Sequence, residues 1–256
     1  MSDISLPVAK TREDRLKFAD GMVSQLKRRY GSDLLGVGIY GSTARGEDLP
    51  YSDIELLATL GADGISEYNE AILAGLKCGV KVVSKSKVVD EINEVDINWP
   101  TKVGKYLQVK VLHEGEAGLF DGFRQVYETV VAKDFGDLIA RVYIEDVYEE
   151  LCKYWNMAEA NDEGKMRILI PHIFEVVCQF LGVVNKTYYQ SFTSMGETAM
   201  NLPINFASFK KLGEAIFSGD MRNTVLLTET IKGLWGEIEV YLQKEGLNYQ
   251  SDLLTL

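Results

Sequence analysis

The sequence predicts an α+β fold in two parts: a small mixed sheet with helices, then a helical bundle. Three observations carry that expectation. The apolar runs Leu34–Tyr40 and Ile54–Leu60 read as buried strands on either side of a glycine-bearing turn. After about residue 118 the strand signals stop and only helical periodicity remains. A length of 256 residues suits one large domain or two small ones, and here it divides into residues 1–118 and 119–256.

Taken in order, the first element is a helix from Thr11 to Tyr30. Thr11 can cap it, Glu13 and Asp14 sit in its first turn, and Lys27, Arg28 and Arg29 sit in its last. Gly31 is the stop signal. After the two apolar strands, Glu67 to Lys77 reads as a helix and Val80 to Ser84 as a third short strand. The run KVVSKSKVV reads as strand with solvated lysines. Tyr106 to His113 alternates as a fourth strand, with Leu107, Val109 and Val111 on one face. Helices are expected near 119–131, 135–160, 165–184, 204–217 and 221–244, punctuated by Gly164, Pro203 and Gly219.

Composition narrows the function. Hydrophobic residues make up 46% and charged residues 25%, which excludes a disordered chain. Lys and Arg number 27 against 38 Asp and Glu, a net charge of −11. That charge argues against non-specific nucleic-acid binding and favours a cationic or metal-carried partner, although an acidic surface is more often a solubility device. The three cysteines, Cys78, Cys152 and Cys178, are odd in number and far apart, so neither a disulfide framework nor a zinc cluster is expected. Apolar stretches such as LLGVGIYG and LIPHIF are too short to span a bilayer. The opening MSDISLPVAKTRED has no apolar signal core, so the cytoplasm is the expected compartment.

The chemistry-bearing segment is IYGSTARGEDLPYSDIELL, which starts at Ile39. Asp53 and Glu55 flank Ile54, so on a strand they point the same way. Two convergent carboxylates are hard oxygen ligands suited to Mg²⁺. Gly41 lets a phosphate approach the backbone closely. Ser42 adds a hydroxyl and an N–H where a helix is expected to begin, and Arg45 can pair with phosphate oxygens. A metal-bound triphosphate uses all of these parts at once.

Gly-Ser, ten residues, then Asp-x-Glu between apolar flanks resembles the signature of the polymerase-β-like nucleotidyltransferase superfamily. The stretch TREDRLKFADGMVSQLKRRYGSDLLGVGIYGSTARGEDLPYSDIELL resembles the opening of its kanamycin nucleotidyltransferase group, the aminoglycoside 4'-O-adenylyltransferases. INWPTKVGKYLQVKVLHE is similar to that group's end-of-domain segment. The resemblance implies an N-terminal nucleotidyltransferase domain, a C-terminal helical domain, and a homodimer whose active sites are shared between subunits.

A second constellation lies on the helix FGDLIARVYIEDVYEELCKYWN. Glu145, Glu149 and Lys153 are each four apart and fall on one side, with Asn156. Tyr143, Ile144, Val147, Leu151 and Trp155 would form the core side. Surface Glu-to-Lys pairing alone explains such a pattern. The resemblance implies more, placing a general base on Glu149 and its companion lysine on Lys153. It also implies acceptor-binding roles for Glu70 and Glu145, and places Ser191 near the nucleotide.

One departure from the group's pattern stands out. The group carries a third carboxylate on the next strand, and here the matching stretch is LKCGVKVVSKS. The acid's position falls on Gly79 or on Val83, according to the gap. No acid occurs between Glu70 and Asp90.

The combined expectation is a Mg²⁺-dependent enzyme that moves AMP from ATP to a hydroxyl of a cationic aminoglycoside. Two alternatives stay open. One is the same chemistry on a different small-molecule hydroxyl. The other is a nucleotide-binding homologue without turnover.

Overall fold

The computed structural model describes residues 7–250. The outer ends of the two expected domains, residues 1–6 and 251–256, lie outside the described residues. The first helix, α1 (Arg12–Tyr30), starts at a capping box in which Thr11 and Asp14 satisfy each other's backbone N–H. Gly31, at φ 54°, ends it. After it come β1 (Leu34–Tyr40), the short α2 (Gly41–Arg45), β2 (Ile54–Leu60), β3 (Ser66–Leu73) and β4 (Leu76–Ser84). Next are α3 (Lys85–Asn93), α4 (Trp99–Lys102), α5 (Gly104–Leu107), β5 (Lys110–Glu114) and α6 (Leu119–Val131). The remainder is helical: α7 (Gly136–Val142), α8 (Glu149–Glu159), α9 (Glu163–Val184), α10 (Phe192–Met200), α11 (Ala207–Ser218) and α12 (Thr224–Lys244).

The strands form one five-stranded sheet in the order β3-β4-β2-β1-β5. Only β2 and β4 run parallel, so the sheet is mixed, as expected. One face packs on α1 through Val37, Ile39, Ile54, Leu56, Ala58 and Leu60, all at most 2% exposed. Those residues belong to the two apolar runs that the sequence marks as buried strands.

The segment expected as a helix from Glu67 to Lys77 is instead the hairpin of β3 and β4. Ala74 and Gly75, at φ 50° and 80°, make a two-residue turn between Leu73 and Leu76. Two consecutive positive φ values match the twist of a tight hairpin. The third strand is accordingly longer than Val80 to Ser84. The run KVVSKSKVV is strand only as far as Ser84, and the rest opens α3. The fourth strand is also shorter than expected. Leu107 ends α5, and Val111 is 43% exposed instead of sharing a buried face.

The chain forms two compact units, one of Met1–Glu94 with Val103–Ala132 and one of Val95–Lys102 with Lys133–Leu256. The sheet unit therefore runs through α6, which packs on α3 and α5. The helical unit contains α4 and α7 to α12. Its central helix is α9, with Ile170, Val177, Cys178, Phe180, Leu181 and Val183 fully buried. Among the described residues α9 is the one helix long and apolar enough to cross a membrane, and 61% of its apolar window is buried inside the protein. The stretch LIPHIF, too short by itself to span a bilayer, is only one part of that helix. The helix α10 carries no expectation from the sequence; Ser191 caps it by accepting from the Ser194 N–H.

Between α7 and α8 the helix passes through a π-helical stretch, Tyr143–Tyr148. The wider turn rotates α8 about the helix axis relative to a regular helix. Tyr143, Val147 and Leu151 are buried as expected, but Ile144 is 48% exposed and Tyr154 is fully buried in place of Trp155.

Candidate functional site

In the sheet unit, β1 and β2 place the Gly41-Ser42 turn beside Glu55. Tyr40 pairs with Glu55 across the two strands, so Gly41 emerges next to Glu55. Gly41 has φ 72°, a conformation that only glycine holds without strain. Its missing side chain also matters: a β-carbon there would stand 3.0 Å from Glu55 Oε2. Ser42 comes next, at the start of α2, half-buried. Five residues make too short a helix for a strong dipole, so its first free N–H groups are what it offers an anion. Arg45 is mostly buried and pairs with Glu47 at 2.7 Å. A cavity of about 220 Å³ beside Arg45 is also lined by Lys110 and Arg124.

The loop between α2 and β2 is fixed from below. Thr43 donates to the Asp53 carbonyl at 3.4 Å, and the Ser52 hydroxyl accepts from the Leu49 N–H. Arg15, 1% exposed, pairs with Asp48 at 3.1 Å and also donates to the Lys10 and Leu49 carbonyls. The loop that delivers Asp53 is thus held by α1.

Glu55 is held above the ordinary carboxylate range, first by burial and then by the negative charge of Asp53. Hydrogen bonds from Tyr40 and Tyr68 oppose that rise. Two crowded carboxylates with hard oxygen donors fit a divalent cation, which would relieve their repulsion. Among the described residues no group of three or more Asp, Glu, His or Cys is placed to hold a metal. Mg²⁺ at Asp53 and Glu55 would therefore complete its shell with substrate phosphate oxygens and water, as it commonly does.

The register resolves the departure on β4. Gly79 stands directly beside Glu55, whereas Val83 stands beside Thr59 and is fully buried. Gly79 is therefore the position adjoining Glu55. Glu70 lies on the exposed edge strand β3, opposite Gly79 and paired with Lys77 at 2.8 Å, not on a helix. It shares the sheet face of Glu55 but belongs to the second strand over.

In the helical unit, Glu149 opens α8 and pairs with Lys153 at 2.8 Å. Lys153 also bonds Glu150 at 2.7 Å, and Glu150 lies 3.3 Å from His172. Both carboxylates hold the Lys153 ammonium above its ordinary range. Lys153 and Asn156 line a cavity of about 330 Å³ with Met157, Lys165, Ile168 and Leu169. Glu145 is exposed and sits in the π-helical stretch, so the regular spacing assumed between it and Glu149 is interrupted. Ser191 is engaged with Thr193 and Ser194 at the start of α10.

Sequence reasoning misses Tyr40, Tyr68 and Asp146. Tyr40 ends an apolar run, Tyr68 falls in a segment expected as a helix, and a contact made through a hairpin leaves no spacing signal. Asp146 is half-buried, and burial together with the charges of Glu145 and Asp96 pushes its carboxyl up. Its neighbour Glu145 stands out only through the i,i+4 pattern.

Comparison with known proteins places this geometry in context. The family model described as KNTase C-terminal domain matches residues 117–248. The chain is 22% identical over 240 residues to the aminoglycoside nucleotidyltransferase (4') of Staphylococcus aureus, covering 94% of each chain. The protein of the same name from a Bacillus species matches equally, at 22% and 94% of each. Among solved structures, a nucleotidyltransferase-like protein from Exiguobacterium sibiricum superimposes with TM-score 0.51 at 13% identity, over 90% of this chain and 77% of that one. That likeness supports the fold. The family match begins at residue 117, while the compact sheet unit extends to Ala132. With the match spanning just over half of its length, the chain belongs to the KNTase C-terminal domain family and is a nucleotidyltransferase.

Proposed function

We propose that the enzyme transfers AMP from ATP to a hydroxyl of a cationic aminoglycoside, the 4'-hydroxyl by preference, and releases pyrophosphate. The observation that carries the reading is the apposition of Gly41 and Glu55. A backbone turn open to phosphate and a metal-type carboxylate meet at one point, with Glu55 Oε2 3.0 Å from where a Gly41 side chain would begin. The names of the two curated relatives supply the acceptor class.

In this reading Ser42 and Arg45 hold the triphosphate, and Gly41 leaves room for it. Asp53 and Glu55 would hold Mg²⁺, which when bound neutralises charge on the phosphate oxygens. Glu149 accepts the proton of the attacking hydroxyl as its oxygen bonds to the α-phosphorus and the bond to pyrophosphate breaks. Lys153 steadies negative charge that develops in that step. Glu145 and Glu70 attract the amino groups of the acceptor, and Ser191 contributes to nucleotide binding. A net charge of −11 favours encounter with a polycation. A cytoplasmic homodimer belongs to the same reading, testable by sedimentation.

The deciding experiment incubates the protein with Mg-ATP and a panel of aminoglycosides and reads product masses. A gain of one adenylyl group on a 4'-hydroxyl compound supports the reading. ATP binding with no modified acceptor refutes it. A second reading, the same chemistry on a different hydroxyl, is favoured by Gly79, which leaves no acid beside Glu55. Adenylylation of an acceptor outside the aminoglycosides would establish it.

A further inference from the structure

The edge strand β3 sends one side chain back across the sheet. In the β3–β4 register Tyr68 pairs with Lys81 and Glu70 with Gly79. Gly79 stands beside Glu55 on β2. Alternate residues of a strand share a face, so Tyr68, Gly79 and Glu55 lie on one face of three neighbouring strands. Gly79 has no side chain to separate the other two. A β-carbon there would lie 2.5 Å from the Tyr68 hydroxyl and 3.1 Å from the ring carbon that bears it. The phenol occupies that space, crosses β4, and donates a long hydrogen bond of 3.4 Å to Glu55 Oε1.

The two oxygens of Glu55 are thereby distinguished. Oε1 meets the Tyr68 hydroxyl, and Oε2 faces the position a Gly41 side chain would take. Tyr40 lies opposite Glu55 on β1, with its phenol close to both the same carboxylate and the Tyr68 hydroxyl. A glutamate side chain left free would lose rotamer entropy on taking a ligand, and a hydrogen-bonded one has already lost it.

We infer that Tyr68 is the positioning residue for Glu55, reaching through the space left by Gly79 to hold Oε1 so that Oε2 stays turned toward the Gly41 turn. The inference rests on the proposed reading of Asp53 and Glu55 as the metal-bearing pair. It gives Gly79 a purpose: any larger residue there would push the phenol off Glu55. The contact of Tyr68 is with the carboxylate, so in this assignment its effect passes through Glu55.

The test measures Mn²⁺ binding by paramagnetic resonance, in the presence of α,β-methylene ATP, for wild type, Tyr68→Phe, Gly79→Ala and Asp53→Asn. Tyr68→Phe should weaken Mn²⁺ binding by about 10–100-fold, the usual scale for losing a hydrogen bond to a metal ligand. Its melting temperature should not change, since the lost hydroxyl is on a half-exposed side chain. The Mn²⁺ needed for half-maximal activity should rise in step, with the KM for ATP at saturating Mn²⁺ unchanged. Gly79→Ala should reproduce the Mn²⁺ defect with Tyr68 intact. Wild-type Mn²⁺ affinity in Tyr68→Phe overturns the inference. Asp53→Asn separates the two levels. If it loses Mn²⁺ while Tyr68→Phe keeps it, the metal reading stands and the role of Tyr68 falls. If Asp53→Asn binds Mn²⁺ as wild type does, the metal reading falls and takes the inference with it.

Discussion

Arg15 and Asp48 form a buried ion pair, Nε to Oδ2 at 3.1 Å, with side chains 1% and 3% exposed. It joins α1 to the loop that carries Asp53. Removing one partner of such a pair leaves the other charge stranded, at a cost of about 3–5 kcal/mol. Arg15→Met should lose stability on that scale in a urea melt. Loss within a few tenths of a kcal/mol would mean that Arg12, which also pairs with Asp48, carries the anchor alone.

Asp53→Asn keeps the shape of the side chain and removes a charge that a hard cation needs. Turnover should fall by at least about a hundredfold, the scale of losing one major electrostatic stabiliser. The melting temperature should stay near wild type, since Asp53 is half-buried just ahead of β2. With two protein carboxylates and no third acid beside them, half-maximal activity should need millimolar Mg²⁺ in wild type. An enzyme saturated at micromolar Mg²⁺ would point to a further ligand.

Glu149→Gln should cut kcat by about 10²–10⁴, the range for a general base, with ATP binding nearly intact. Glu145→Gln should act mainly on KM for a cationic acceptor. Steady-state kinetics with both substrates varied separates the two. The reverse pattern would assign the base to Glu145, across the π-helical stretch.

Asp146 has its carboxyl pushed up, first by burial and then by the charges of Glu145 and Asp96. A carboxyl with a raised folded-state value stabilises the fold while protonated, and that contribution is lost as pH rises through the raised value. Ionised Asp146 therefore costs stability at neutral pH. Asp146→Asn should melt a few degrees higher than wild type at pH 7, with the gap closing below about pH 4, where aspartate is protonated in both states. Thermal melts across pH check the sign. A gap that widens on acidification would contradict it.

The legible parts of this protein are those written in local patterns. The capping box of α1, the apolar runs of β1 and β2, and the spacing from Gly41-Ser42 to Asp53 and Glu55 need only neighbours in sequence. The long helices α6, α9, α11 and α12 are likewise evident from their periodicity. The β3–β4 hairpin is not. Tyr68, Ala71 and Ile72 have helical spacing, and Ala-Gly lacks the Asn or Asp that marks most tight turns. Pairing with β2 through β4 overrides that local preference.

What the sequence by itself determined is the presence of a sheet-and-helix unit, a helical unit, and a Gly41-Ser42 turn spaced ten residues ahead of Asp53 and Glu55. The tertiary structure decided which of Gly79 and Val83 adjoins Glu55, because strand register is set by pairing across the sheet and not by spacing along the chain. It also decided that Tyr68, thirteen residues beyond Glu55, bends back to meet it. That contact depends on a strand pair between them and on a glycine that leaves space, and neither is encoded in any one segment.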